Sequence, residues 1–149
     1  MKDVREEKIL APILTIAVIV LVIFTSGILV IRSPFISTSS VSNVLGGKWT
    51  INNFSSGNNT LSEILSDSQG DTLIIIKYTF PSEAQAQNYF QTNALNETIS
   101  YYNYLISYYT HGLSESVYIL NGNSVYYISY VATNTTSLPS INQLINIIR

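Results

Sequence analysis

The sequence predicts an α+β protein: an N-terminal transmembrane helix, then a small antiparallel or mixed sheet with helices packed on one face. Three observations carry that expectation. Ile9–Ile31, "ILAPILTIAVIVLVIFTSGILVI", runs twenty-three residues without a charge, closed by Lys8 and Arg32. Beyond residue 45 the hydropathy pattern alternates between strand-like and helix-like stretches. No segment repeats another, so the pattern describes one fold and not an array.

The apolar run comes first. As a helix it spans roughly 34 Å, enough for a hydrocarbon core of about 30 Å. A cleavable leader has a shorter apolar region of roughly 7–15 residues. Here "ILVI" resumes straight after Thr25, Ser26 and Gly27, so a retained anchor at 9–31 is expected. Pro12 sits in the first turn, where its missing N–H has no intrahelical partner anyway. Lys2, Arg5 and Lys8 precede the run, and only Arg32 and Lys48 follow it closely. That bias makes residues 1–8 a cytoplasmic tail and puts the C-terminal domain outside the cell membrane. Residues 32–45, with "PFISTSSVSN", read as a Ser-rich linker. Residues 46–149 then form an extracytoplasmic α+β domain, long enough for one core.

Within it, "KWTINNF" from Lys48 predicts a strand. Thr60 and Glu63 match a capping box and predict a short helix, ended by the turn "SQGD". "TLIIIKYTF", Thr72–Phe80, is β-branched and aromatic, which predicts a central strand. Ser82 and Gln85 form a second capping box opening a helix. Leu95, Ile99, Tyr102, Leu105, Ile106 and Tyr109 recur at helical spacing, so helix is expected on to Tyr109, with a break near "NALNE" and a stop at Gly112. "SVYILNGNSVYYISYV" predicts a hairpin with a type I′ turn at Asn121-Gly122. Ser140 and Gln143 cap a last helix with Ile141, Leu144, Ile145 and Ile148 on one stripe. The order resembles a ferredoxin-type split unit lacking its final strand.

From Ser33 onward the chain has three basic residues, Lys48, Lys77 and Arg149, and six acidic ones, Glu63, Asp67, Asp71, Glu83, Glu97 and Glu115. Its polarity comes from hydroxyls and amides, which do not titrate in acid as carboxylates do. Tyrosine, eleven in all, gives apolar area with a polar tip and no charge for acid to remove. With few basic partners for the carboxylates, folding is expected to depend weakly on pH. In composition and layout the whole chain resembles small single-pass surface proteins of thermoacidophilic archaea. An AT-rich genome is the competing source of the asparagine, isoleucine and tyrosine. "APIL" at the head of the apolar run resembles archaeal type IV pilins, whose apolar helices pack into a filament core and whose external domains are commonly all-β. The chain departs from them in lacking a basic residue directly followed by Gly, Ala or Ser at the start of that helix.

Catalytic chemistry finds no candidate. His111 is the only histidine and there is no cysteine, so a histidine pair, a thiol nucleophile and a disulfide scaffold are all excluded within one chain. Glu63, Asp67 and Asp71 recur every four residues, but their spacing is not that of an EF-hand and a solvated acidic face is expected. Asn53, Asn58, Asn96 and Asn134 head N-x-S/T sequons and are candidate N-glycosylation sites. Three basic residues are too few for nucleic acid. The sequence therefore points to a non-enzymatic, cofactor-free and metal-free binding or structural protein. Its expected partners are the lipid bilayer and other membrane or envelope proteins, as an accessory subunit of a membrane or envelope complex. A type IV pilin-like filament subunit is the alternative.

Overall fold

The computed structural model describes residues 35–94, 96–134 and 138–149. These belong to one compact unit, Pro34–Arg149. The expected tail at 1–8 and transmembrane helix at 9–31 lie outside the described residues, and no described helix is long and apolar enough to cross a membrane.

The body is α+β, built on one seven-stranded antiparallel sheet. Helix α1 (Thr38–Leu45) leads into strands β1 (Trp49–Gly57), β2 (Thr60–Asp67) and β3 (Thr72–Thr79). Helix α2 (Glu83–Asn93) follows, then β4 (Thr98–Tyr101), β5 (Tyr104–His111), β6 (Ser114–Asn121) and β7 (Ser124–Val131), and last α3 (Ile141–Asn146). Spatially the strands run β1-β2-β3-β7-β6-β5-β4. Two meanders are thus joined edge to edge by β3 and β7, and α2 carries the chain from one to the far edge of the other.

Register sorts the side chains into two faces. Leu65, Leu73, Ile75, Ile106, Val117, Ile119, Ile128 and Tyr130 share one face, and α1 and α3 close it with Val41, Leu144 and Ile145. The other face carries α2 at one end only, where Ala86 and Phe90 pack on Leu120 and Val125. Helices therefore lie on both faces of the sheet and not on one. A strand buried on both sides needs cover on both, and β3 and β7 are apolar on both.

Four elements also differ locally from the sequence expectations. Residues 38–45 are helix and not linker. Ser37 caps α1 by accepting from the Ser40 N–H, and Val41 is fully buried with Val44 and Leu45 packed beside it. The serines hid a helix because they point outward while this short apolar stripe faces the core. Thr60–Glu63 is strand: the Thr60 hydroxyl donates to the Asn58 carbonyl and caps nothing, while β2 pairs with β1 and β3 on either side. The helix beyond Asn93 is instead the hairpin β4–β5, and Gly112 turns β5 into β6. Tyr104, Ile106 and Tyr108 face one way and Leu105, Ser107 and Tyr109 the other. With apolar residues on both faces no alternation is visible, and Tyr, Ile and Thr favour strand over helix locally. Finally, Asn121 ends β6, and the turn residues are Gly122 and Asn123. Only Gly122 of these two has positive φ, at 57°, which is the first central position of a type II′ turn.

β1, β3 and the β6–β7 hairpin form where predicted, Ser82 caps α2, and Ser140 and Gln143 make the capping box of α3. Ile145→Ala removes a fully buried side chain and should cost about 2–5 kcal/mol, lowering the melting temperature of a 34–149 fragment. A fragment cut at Gly46 loses Ile36 and Val41 from the core and should melt below the 34–149 fragment; equal melting of the two would make α1 dispensable.

Candidate binding face

The acidic spacing Glu63, Asp67, Asp71 does not make one face. β2 ends at Asp67, so the helical periodicity never applies. Glu63 points into the core, fully buried, on the face covered by α1. Its Oε1 accepts from the Ile36 N–H at 3.3 Å, and its Oε2 has no partner among the described residues. Burial raises the Glu63 carboxyl above the usual carboxylate range, opposed by the backbone N–H groups of Ile36 and Phe35. Asp67 organises the β2–β3 turn, its Oδ1 accepting from the N–H groups of Gln69 and Asp71.

Asp71 forms a latch between distant parts of the chain. Its Oδ2 accepts from the Tyr130 hydroxyl at 2.5 Å, and its Oδ1 from the Thr133 N–H and hydroxyl at 2.8 Å each. The Tyr130 hydroxyl, then the Thr133 N–H, pull the Asp71 carboxyl below its ordinary value, against the effect of burial. No set of three or more metal-binding side chains converges among the described residues. Glu115 is also buried, with Oε2 accepting from the Thr110 hydroxyl at 2.6 Å. The solvated acidic face expected for Glu63, Asp67 and Asp71 does not form, because the groups that bury or bond Glu63 and Asp71 lie 27 to 62 residues away.

His111 does not end a helix. It lies at the end of β5, its ring stacked on Tyr109 with centroids 5.9 Å apart, in contact with the Tyr109 hydroxyl through Nδ1. Both belong to the sheet face that α2 leaves open. Around them on that face stand Ile74, Ile76, Tyr127, Ser129, Val131 and Ser116. The Ser116 and Ser129 hydroxyls bond at 3.0 Å, with the Tyr127 hydroxyl alongside. Tyr109 and Val131 are exposed, as is Leu113 in the adjoining turn. By register, no Asp, Glu, Lys or Arg of β2, β3, β5, β6 or β7 points to this face; Glu63, Lys77 and Glu115 all point to the other. The open half therefore carries no Asp, Glu, Lys or Arg and presents tyrosine, aliphatic and hydroxyl groups around His111. Charge depletion and tyrosine enrichment mark the centres of protein interfaces, and Tyr supplies contact area at low entropic cost.

The sequons differ in geometry. Asn53 is exposed on edge strand β1, Asn58 on the β1–β2 turn, and Asn134 beyond β7. Asn96 is exposed but committed: its side-chain amide donates to the Tyr108 carbonyl at 3.3 Å, and its backbone binds the Ser107 hydroxyl. A shallow cavity of about 360 Å³ lies beside it, lined by Asn96, Glu97, Ile99 and Tyr108. No protein-family profile, curated protein or solved structure matches this chain.

Glu63 and Asp71 give opposite pH dependences. The folded Glu63 holds its proton more tightly than the unfolded chain does. Its contribution is greatest below the unfolded value of about 4.3 and is lost as pH rises through the folded value. The folded Asp71 holds its proton less tightly, so its contribution is present above about pH 3.9 and is lost as pH falls through the depressed value. Glu63→Gln should flatten the decline of stability toward neutral pH, and Asp71→Asn should lower stability at pH 7 while removing the acid limb. Thermal melts across pH check both signs. The sequence-based expectation of weak pH dependence thus becomes one of two opposed limbs.

Proposed function

We propose that this is a membrane-anchored extracytoplasmic binding protein, an accessory subunit that uses the open tyrosine face to hold a protein of a membrane or envelope complex. The observation that carries the reading is that face: Tyr109, His111, Tyr127 and Val131 stand on it without one carboxylate, ammonium or guanidinium. The apolar run at 9–31 and the basic bias ahead of it support anchoring with the body outside. The role is non-enzymatic and needs no cofactor or metal. The hydroxyl-rich surface, poor in carboxylates, suits an acidic exterior, in keeping with the compositional resemblance to surface proteins of thermoacidophilic archaea.

A pilin-like filament subunit is a second reading, favoured by one observation. The body has one antiparallel sheet of seven strands and only three short helices among its described residues, closer to the all-β external domains of pilins than the helical expectation was. An intact mass showing an unprocessed N-terminus removes that reading.

External protease on intact cells should remove the body beyond about Ser33; full protection would sink the outward topology. In a mild-detergent pull-down, Tyr109→Ser with Val131→Ser should lose the proteins that co-purify with the wild type, at an unchanged melting temperature. Retention of the same partners by the double variant would move the interface off this face.

A further inference from the structure

The outer surface of α2 is built from amides. An exposed helix face is ordinarily charged, yet Glu83 is the one formally charged residue between Glu83 and Asn93. Gln85, Asn88, Tyr89 and Thr92 recur at i, i+3, i+4 and i+7, so they form one stripe. It runs beside Ala86 and Phe90, which pack on the sheet. Across from the stripe stands Phe80, just past the end of β3. Between them lies an open groove of about 420 Å³, lined by Phe80, Gln85, Asn88, Tyr89, Thr92 and Asn93. Small-molecule sites commonly measure roughly 300–1,000 Å³. None of the six residues is Asp, Glu, Lys or Arg, and none belongs to the open tyrosine face.

One side of the groove is aromatic and fixed. The Phe80 and Tyr89 rings stand 5.1 Å apart, tilted by 40°, and Tyr78 backs Tyr89 at 4.9 Å. Phe80 is held through its backbone. Its N–H donates to the Asn123 carbonyl at 2.8 Å, and its carbonyl accepts from the Asn123 side chain at 3.1 Å. Both rings are half-buried and keep part of their surface in the groove. Rings already ordered in this way lose little freedom when a ligand packs on them.

The other side is polar. The Thr92 hydroxyl donates to the Asn88 carbonyl and the Asn93 amide to the Tyr89 carbonyl, both at 2.8 Å. The side-chain amides of Gln85 and Asn88 bond to no described residue. Each offers two donor hydrogens and an acceptor oxygen.

The two sides together select a ligand chemistry. An ion finds no counter-charge among these residues. A wholly apolar ligand would strip water from the amides and return no hydrogen bond. A sugar ring matches both sides. Its C–H face is apolar and faintly positive, and packs on the negative face of an aromatic ring. Its hydroxyls each donate and accept, as the amides do.

We propose that the groove between Phe80 and α2 binds a neutral pyranose sugar, with Phe80 and Tyr89 against its C–H face and Gln85 and Asn88 bonded to its hydroxyls. The site is additional to the protein contact of the open tyrosine face, and neither depends on the other.

Full-length chain in a polyoxyethylene detergent, which carries no sugar, is titrated with methyl glucoside, methyl mannoside, methyl galactoside and N-acetylglucosamine. Binding is read by calorimetry and by saturation-transfer NMR. At least one sugar should bind with a Kd of roughly millimolar order, as few contacts on an open groove allow. Saturation placed on aromatic protons should pass to its ring C–H protons. Gln85→Ala with Asn88→Ala removes two exposed side chains. This double variant should melt as the wild type does and bind about tenfold more weakly, the effect of two lost hydrogen bonds. Each single variant should show a smaller loss, so the test survives a double variant that fails to fold. Affinity that rises along the matching di-, tri- and tetrasaccharide identifies a polysaccharide as the source. Full affinity for the single ring identifies a glycolipid head, and either result supports the site. Failure of all four sugars to bind overturns the proposal, as does undiminished binding by the folded variants.

Discussion

The whole body depends on the pairing of β3 with β7. It is the one contact that makes two local meanders into a single sheet, and it joins residues about fifty positions apart in eight consecutive register pairs, from Thr72↔Val131 to Thr79↔Ser124. Pairing so distant closes a long loop before any contact rewards it. Side chains clamp both ends of it. At one end Asp71 takes the Tyr130 hydroxyl and the Thr133 N–H and hydroxyl. At the other, the Phe80 N–H donates to the Asn123 carbonyl, and the Asn123 side chain donates to the Phe80 carbonyl. A slip of one residue along β7 would break both clamps and turn Ile128 and Tyr130 out of the core.

That pairing also decides where charge goes. The core face collects Glu63, Lys77 and Glu115, and the opposite face collects none. The result inverts the usual arrangement, in which charges decorate the solvent side of a sheet. Glu63 and Glu115 each keep one carboxyl oxygen without a partner among the described residues. A buried, unpaired carboxylate costs several kcal/mol as an ion and far less as a neutral acid. For Glu63, whose carboxyl burial pushes up, the neutral form prevails further into the pH scale than for a solvated acid. Asp71 needs its charge and holds it with three donors. Glu63 and Asp71 are thus shifted in opposite directions by their surroundings.

Tyrosine has three different positions in this fold, and composition does not distinguish them. Tyr130 is buried and donates to a carboxylate. Tyr78, Tyr89 and Tyr118 surround the α2 contact, with the Tyr78 and Tyr89 rings 4.9 Å apart. Tyr102, Tyr108 and Tyr109 are exposed. One residue type serves as core filler, hydrogen-bond donor and exposed surface residue because it is apolar along its body and polar at its tip.

By itself the sequence determined whatever is decided within a few residues. The Ser82 and Ser140 caps, the turn after Asp67, the β-branched run of β3 and the hairpin around Gly122 all formed where local chemistry put them. It also set the inventory: no cysteine, one histidine and few charges, which excludes a histidine pair and a thiol nucleophile within one chain. Only the tertiary structure decided the rest. Thr38–Leu45 is a helix because Val41 finds a core to enter. Thr60–Glu63 is a strand because β1 and β3 flank it, overriding a capping pattern that needed only four residues. Leu105–Tyr109 alternates between two apolar faces, which a single chain cannot tell from a helical stripe. Glu63 and Asp71, equal in sequence, part company because one lies under α1 and the other meets Tyr130 across 59 residues. The physical reason is common to all four. Hydrogen-bonding partners and buried area arrive from distant segments, which neighbouring residues alone do not display.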